Sequence, residues 1–305
     1  MIKSRHDRRK PFQPDRVSAW QNKGENPEPL LQFVGRLLPD ASRNDLKRYL
    51  RYGHIMINGT VTTAFDAPVA PGEWVELNFT RPFVVFRHPR LEIVYEDDDI
   101  IVVNKGYGLL SVDTDSPKKA DTAYSLLRAY VKEVNPANKI FVVHRLDRDT
   151  SGLMMFAKTN EAKEAMQHNW NNMVLERTYV AVLEGEMPEK SGVISSNLDQ
   201  TSRFEVYTTR ERGEGKRATT RYRVLKRGRG RTLAEFSLDT GRKNQIRVHA
   251  RDLGHPITGD RKYGAAQSPI HRLALHARTL RFAHPVTRED MHFKLPIPHN
   301  FLKLV

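Results

Sequence analysis

The chain has 305 residues, enough for one large domain and a smaller one, and its 50 Lys+Arg against 36 Asp+Glu leave a net charge of +14. Such an excess favours polyanionic partners, because neutralising phosphates releases their condensed counterions. Cysteine is absent, which excludes disulfides, thiolate metal centres and thiol nucleophiles; no apolar run reaches the ~18 residues that span a bilayer, and no apolar stretch follows the basic N-terminus as in a secretory signal.

Residues 1–28 are rich in Arg and Lys, broken by Pro11, Pro14 and Pro27, and read as a flexible basic arm. From Leu30, apolar residues recur at helical spacing (Leu30, Leu31, Phe33, Val34, Leu37, Leu38) until Pro39-Asp40. Ser42 stands where a cap would start a second helix, Arg43 to Arg51, which Gly53 closes. That helix carries Leu46, Tyr49 and Leu50 on one side and Arg43, Lys47, Arg48 and Arg51 around the other. A strand over His54 to Asn58 turns at Asn58-Gly59, a dipeptide suited to a tight hairpin, and Pro71-Gly72-Glu73 turns into a further strand over Trp74 to Leu77.

A linker containing Arg81-Pro82 and His88-Pro89 leads to a larger domain over residues 88–305. Ile100 to Val103 has the β-branched texture of a buried strand, and helical patterns occupy Thr122 to Val134 and Glu161 to Asn171. The remaining segments are strand-like: Tyr179 to Leu183, Thr219 to Leu225, Leu233 to Leu238, Gln245 to Val248 and Thr279 to Phe282. The pattern predicts an α+β domain on a mostly antiparallel sheet. Gly228-Arg229-Gly230-Arg231 reads as a basic hairpin tip, and Arg210 to Arg221 as a basic stretch able to meet backbone phosphates.

Polar chemistry is concentrated between Phe141 and Lys158, where apolar Phe141 to Val143 enters the turn His144-Arg145-Leu146-Asp147-Arg148-Asp149-Thr150-Ser151-Gly152. Loops between buried strands are where scaffolds hold reactive groups. Asp149, Thr150 and Ser151 are accounted for by turn chemistry, and His144 reads as a buried, hydrogen-bonded histidine. Asp147 differs: it follows a Leu146 expected to enter the core, and nearby arginines offset the cost of burying its charge. Asp147 and Asp149 lie too close together to bracket a glycosidic bond as the carboxylates of a glycoside hydrolase do.

Two resemblances sharpen this reading. Arg48 to Gly59, followed by Val69-Ala70-Pro71-Gly72-Glu73, resembles an S4 RNA-binding domain, here residues 29–80, which implies that the basic helix with Arg43, Lys47, Arg48 and Arg51 is offered to RNA. His144 to Gly152 resembles the HRLDxxTSG signature of RNA pseudouridine synthases of the RluA family. Further segments of that family follow in order: Ile101 to Leu110, Glu176 to Ala181, Thr240 to His249, Leu253 to Asp260 with Tyr263-Gly264, and Arg272 to Ala277. Three departures stand out: Gly106 where proline is usual, Arg177 where lysine is usual, and Lys243-Asn244 where Thr-His is usual.

The resemblance implies a pseudouridine synthase catalytic domain that breaks the N1–C1′ bond of uridine and rejoins the base through C5. Neither redox chemistry nor hydrolysis is involved, so no cofactor and no metal is expected. The chain agrees in lacking GxGxxG in a strand–helix context, a phosphate loop and HExxH. By the same resemblance Asp147 is the carboxylate that acts at the sugar, by addition at C1′ or proton removal at C2′. Tyr179 stacks on the uracil, Ile246 packs on its other face, and Arg247 pairs with Asp147. Arg145 fills the place of an extruded base, and Arg242 contacts RNA. A non-catalytic RNA-binding assembly factor would need no such set. Gly106, Lys243 and Asn244 are expected to lie outside it and to bear on substrate choice. The implied partner is structured RNA, ribosomal before transfer RNA, met by a cytoplasmic monomer.

Overall fold

The computed structural model describes residues 15–112, 121–202, 205–209 and 214–305. Residues 1–14 of the basic arm, and Arg210 to Gly213 of the basic stretch, lie outside the described residues. The chain divides into two units: residues up to 85 with 133–136, and residues 86–132 with 137–305.

In the first unit, helices Leu30–Leu37 and Arg43–Arg51 cover a small sheet, and Leu30, Phe33, Leu46, Leu50, Ile55, Val75 and Leu77 form its core. Ser42 caps the second helix, its Oγ accepting from the Asp45 amide at 3.1 Å. Asn58 and Gly59 both take positive φ, 46° and 74°, and so join Ile55–Ile57 to Thr60–Val61 by a tight turn. One expectation is corrected. Val17–Gln21, read as part of an unstructured arm, is a strand paired antiparallel with Trp74–Asn78. Its alternation is weak because it lies at the sheet edge, where only Ser18 and Trp20 are half-buried.

The second unit is built on an eleven-stranded sheet, antiparallel except at one junction. Its central order is Lys216–Gly228, Arg231–Leu238, Val174–Glu184, Leu275–Ala283, Ser151–Ala157 and Ile100–Lys105. The parallel junction joins Ser151–Ala157 to Leu275–Ala283 through the pairs Ser151–His276 and Gly152–Ala277. Gly152 is required here. Its φ is +113°, and a Cβ would stand 2.1 Å from the Ala277 carbonyl oxygen. Helix Ala123–Val134 buries Ala123, Leu127 and Val131 among Leu146, Met154 and Phe156, and helix Asn160–His168 packs Ala162 and Met166 among Val102, Met155 and Phe282.

Gln245 to Val248, expected as strand, is helix Gln245–Asp252. Alternating Ile246 and Val248 imitate a strand, but residues four apart do the packing. Ile246 and Ala250 enter one core cluster, while Gln245 and His249 both bond to Thr220 Oγ1, at 2.9 and 2.8 Å. Among the described residues, no helix is long and apolar enough to cross a membrane.

Candidate active site

The six residues of the larger domain to which the resemblance gives a role at the base or the RNA line one cavity of about 890 Å³: Arg145, Asp147, Tyr179, Arg242, Ile246 and Arg247. They arrive from three directions. Arg145 and Asp147 come from the irregular segment before Ser151–Ala157, Tyr179 from strand Val174–Glu184, and the others from the 242–247 turn and helix. The basic residues Arg43, Lys47, Arg48 and Arg51 belong to the first unit and are exposed; Arg43, Lys47 and Arg51 follow at four-residue spacing along one side of their helix.

The Asp147 segment is held by groups around it. Leu146 is buried, and its amide and carbonyl are both taken by the Ser111 hydroxyl, which accepts from Leu146 N at 3.1 Å and donates to Leu146 O at 2.7 Å. The turn closes with the Thr150 amide on the Asp147 carbonyl at 3.2 Å. Beneath it the Lys105 ammonium, wholly buried, donates to the carbonyls of Gly106, Leu109 and Arg148 at 3.0, 2.8 and 3.1 Å. Burial pulls Lys105 down to about 7, against Asp149 and Asp147, which favour its charged form. Ser151 does not serve the turn: its Oγ meets His276 Nδ1 at 2.8 Å and accepts from Arg272 Nη2 at 2.6 Å. His144 receives the Met155 amide on Nε2 at 3.0 Å, as a structural histidine would.

Arg247 is the most constrained group of the site. Its Nε and Nη2 donate to the two oxygens of Asp260, each at 2.7 Å, in a bidentate pair whose side chains are 12% and 1% exposed. Its Nη1 donates to Asn244 Oδ1 at 3.0 Å and stands 3.7 Å from Asp147 Oδ2. The guanidinium lies over the Tyr263 ring, 4.9 Å from its centroid. Burial works against its charge, but Asp260 outweighs that and holds its pKa above the ordinary arginine value. The expected Arg247–Asp147 pairing is thus present but secondary; Asp260 is the principal partner. Tyr179 is half-buried, and burial raises its phenol.

The 240–245 turn is organised by Gln245, whose Oε1 accepts from Thr240 Oγ1 and the Arg242 amide while its Nε2 donates to Thr219 O and Thr220 Oγ1. Lys243 reaches Gln200 Oε1 at 3.3 Å, and both line the cavity. Asn244, expected outside the reactive group, touches Arg247 directly, so that expectation is corrected. Sequence reading passed over Asp260, Ser111, Gln245 and Asn244 as site residues. Asp260 and Gln245 stand in recognisable segments, but their partners lie 13 and 25 residues away, where spacing gives no signal.

Among the described residues, one cluster has the composition of a metal site, Asp97, Asp99 and His284, but none of the three lines the cavity. Their ligand atoms are engaged in hydrogen bonds. Asp97 Oδ1 accepts the amides of Asp99 and Ile100, and His284 Nδ1 accepts those of Val286 and Thr287. That leaves His284 Nε2 to donate to Asp97 Oδ2 at 3.1 Å, and the cluster ties two loops together.

A family model described as RNA pseudouridylate synthase matches residues 99–252. An uncharacterized RNA pseudouridine synthase of Bacillus subtilis is 32% identical over 300 residues, covering 95% of this chain and 97% of the relative. The ribosomal large subunit pseudouridine synthase D of Vibrio cholerae is 35% identical over 291 residues, covering 90% of this chain and 89% of the relative. Among solved structures, human RNA pseudouridylate synthase domain containing 1 superposes with a TM-score of 0.56 at 27% identity, covering 72% of this chain and 87% of that one.

Proposed function

The chain belongs to the RNA pseudouridylate synthase family and is an RNA pseudouridine synthase, and we propose that it isomerises uridine in large-subunit ribosomal RNA with Asp147 as the group that acts at the sugar. The observation that carries the assignment of Asp147 is its position on the cavity wall with Arg247 Nη1 3.7 Å from its carboxylate, beside Tyr179 and Ile246.

The isomerisation conserves every atom. The N1–C1′ bond breaks, the uracil turns within the cavity, C5 bonds to C1′, the C5 proton leaves and N1 acquires one. Asp147 serves the sugar, Arg247 faces the carboxylate with a fixed positive charge, and Tyr179 and Ile246 supply the apolar walls that retain the detached base. A uracil in a stem must first leave the stack, and Arg145, exposed at the cavity, is the side chain placed to fill the gap. The first unit is read as an S4-like RNA-binding domain, with its exposed Arg43, Lys47 and Arg51 stripe turned to phosphates. Ribosomal RNA as the substrate rests on the large-subunit synthases among the relatives.

The test is Asp147→Asn on an unmodified large-subunit ribosomal RNA transcript, with tritium release from C5 of uridine as the readout. Tritium release should vanish while RNA binding survives. Release at the wild-type rate would remove Asp147 from the chemistry. Release by the wild-type chain from transfer RNA but not from the ribosomal transcript would reassign the substrate and leave the chemistry standing.

A further inference from the structure

We infer that Asn244 is a positioning residue: it aims Arg247 at Asp147 and does so with a side chain that stays uncharged at every working pH. The inference rests on the reading of Asp147 given above. Asn244 occupies the first position before helix Gln245–Asp252, with φ 54° and ψ 16°. That left-handed conformation is costly for most residues and tolerated by asparagine. An asparagine there would ordinarily cap the helix, yet this one makes no capping hydrogen bond. Its side chain is spent on the site instead. Oδ1 accepts from Arg247 Nη1 at 3.0 Å, and Nδ2 donates to the Tyr263 hydroxyl at 2.9 Å.

The orientation of this amide follows from chemistry. A guanidinium only donates, so the oxygen must face Arg247, and the nitrogen is left for Tyr263. Asn244 and Tyr263 are 8% and 1% exposed, so water does not readily replace either bond. Tyr263 in turn carries the Arg247 guanidinium on its ring face. Asp260 fixes one edge of that guanidinium, through Nε and Nη2, and leaves Nη1 to be fixed separately. Nη1 is the nitrogen that faces Asp147, at 3.7 Å, beyond hydrogen-bond length. Asn244 therefore holds Nη1 near the carboxylate without letting it close on an oxygen that must reach the substrate.

The family resemblance places histidine where this chain has Asn244. A neutral imidazole could copy both bonds, accepting from Arg247 with one nitrogen and donating to Tyr263 with the other. An imidazolium could not: both nitrogens would donate, and its charge would repel Arg247. Asparagine removes that dependence on pH.

Three variants of the full chain, assayed by tritium release from the same ribosomal transcript, test this. Asn244→Ala should lower kcat by about 10- to 100-fold, the worth of one hydrogen bond to a charged group, with KM for RNA within about twofold. Asn244→His should recover most of the rate at pH 8, because burial beside Arg247 holds the imidazole neutral and able to copy both bonds. Wild-type kcat in Asn244→Ala would overturn the inference. If Asn244→Ala does not fold, Asn244→Gly, which tolerates the positive φ at this position, takes its place, and wild-type kcat in it overturns the inference equally. Asp147→Asn, run alongside, separates the two claims. An active Asp147→Asn sinks the parent reading, whereas an inactive Asp147→Asn beside unperturbed Asn244 variants sinks only this one.

Discussion

Removing Asp260 should cost more stability than removing Asp147, although only Asp147 is proposed to act on substrate. Asp260 makes two 2.7 Å bonds to Arg247 and is almost wholly inaccessible, whereas Asp147 stands 3.7 Å from the same guanidinium and is 28% exposed. Truncating one partner of a buried pair leaves the other charge uncompensated, at a cost of roughly 3–5 kcal/mol. Asp260→Ala and Arg247→Ala should each lose about that much. The double variant should lose far less than both together, because neither charge is then left stranded, so the coupling energy should exceed about 2 kcal/mol. Asp147→Ala should change stability by less than about 1 kcal/mol, as partly exposed, loosely paired charges do. Urea unfolding of the wild type and these four variants, with slopes compared so that only midpoint shifts are read as stability, measures all of this. A coupling below about 0.5 kcal/mol would mean that Asp260 does not anchor Arg247, and the account of the site would lose its foundation.

Three further outcomes follow from the same geometry. Gly106→Pro, which restores the residue usual in the family, should destabilise this chain by about 1–3 kcal/mol in urea, because the Gly106 amide donates to Arg90 O at 2.7 Å and a Cβ would stand 3.0 Å from that oxygen; a neutral or stabilising result refutes this. His249 and His276 are held down to about 4 by burial, Asp252 opposing in the first and Arg272 adding in the second. Their folded pKa values lie below the unfolded value of about 6.5, so their contribution is complete above that pH. It is lost as pH falls from there towards 4, at up to about 2.7 kcal/mol per unit for the two, and His249→Gln should lower the measured slope by about 1.4 kcal/mol per unit. Replacing Arg43, Lys47 and Arg51 together by Ala should lower the salt dependence of RNA binding by a slope of about 2–3 and leave kcat at saturating RNA unchanged; an unaltered slope removes that helix from the interface.

Much of this was legible in the residues themselves, and the reason is that the legible parts are local. Ser42 as a cap, Asn58-Gly59 as a tight turn and Ile100 to Val103 as a buried strand each depend on neighbours a few positions away. Asp147, Tyr179, Ile246 and Arg247 could be grouped only through the family resemblance, since nothing in their own spacing joins them, and the structure places all four on one cavity. What the residues hid is pairing across distance and competition for a partner. Arg247 was matched to Asp147, yet the closer carboxylate belongs to Asp260, and the Gln245 face that bonds Thr220 is visible only once the segment is a helix. Val17–Gln21 escaped notice because an edge strand with three exposed positions has little apolar alternation to show.

The place of strand Leu275–Ala283 in the sheet also bears on when the site comes into being. It lies between Val174–Glu184, which carries Tyr179, and Ser151–Ala157, which follows Asp147, and it joins the two halves of the sheet. A chain emerging from the ribosome therefore presents both residues before the strand that joins their two halves of the sheet has been made. Only when this late segment docks, by pairings 94 to 125 residues apart in sequence, do the two halves become one sheet. A chain truncated before Leu275 would carry the whole reactive set without the strand that joins its two halves, and should be inert.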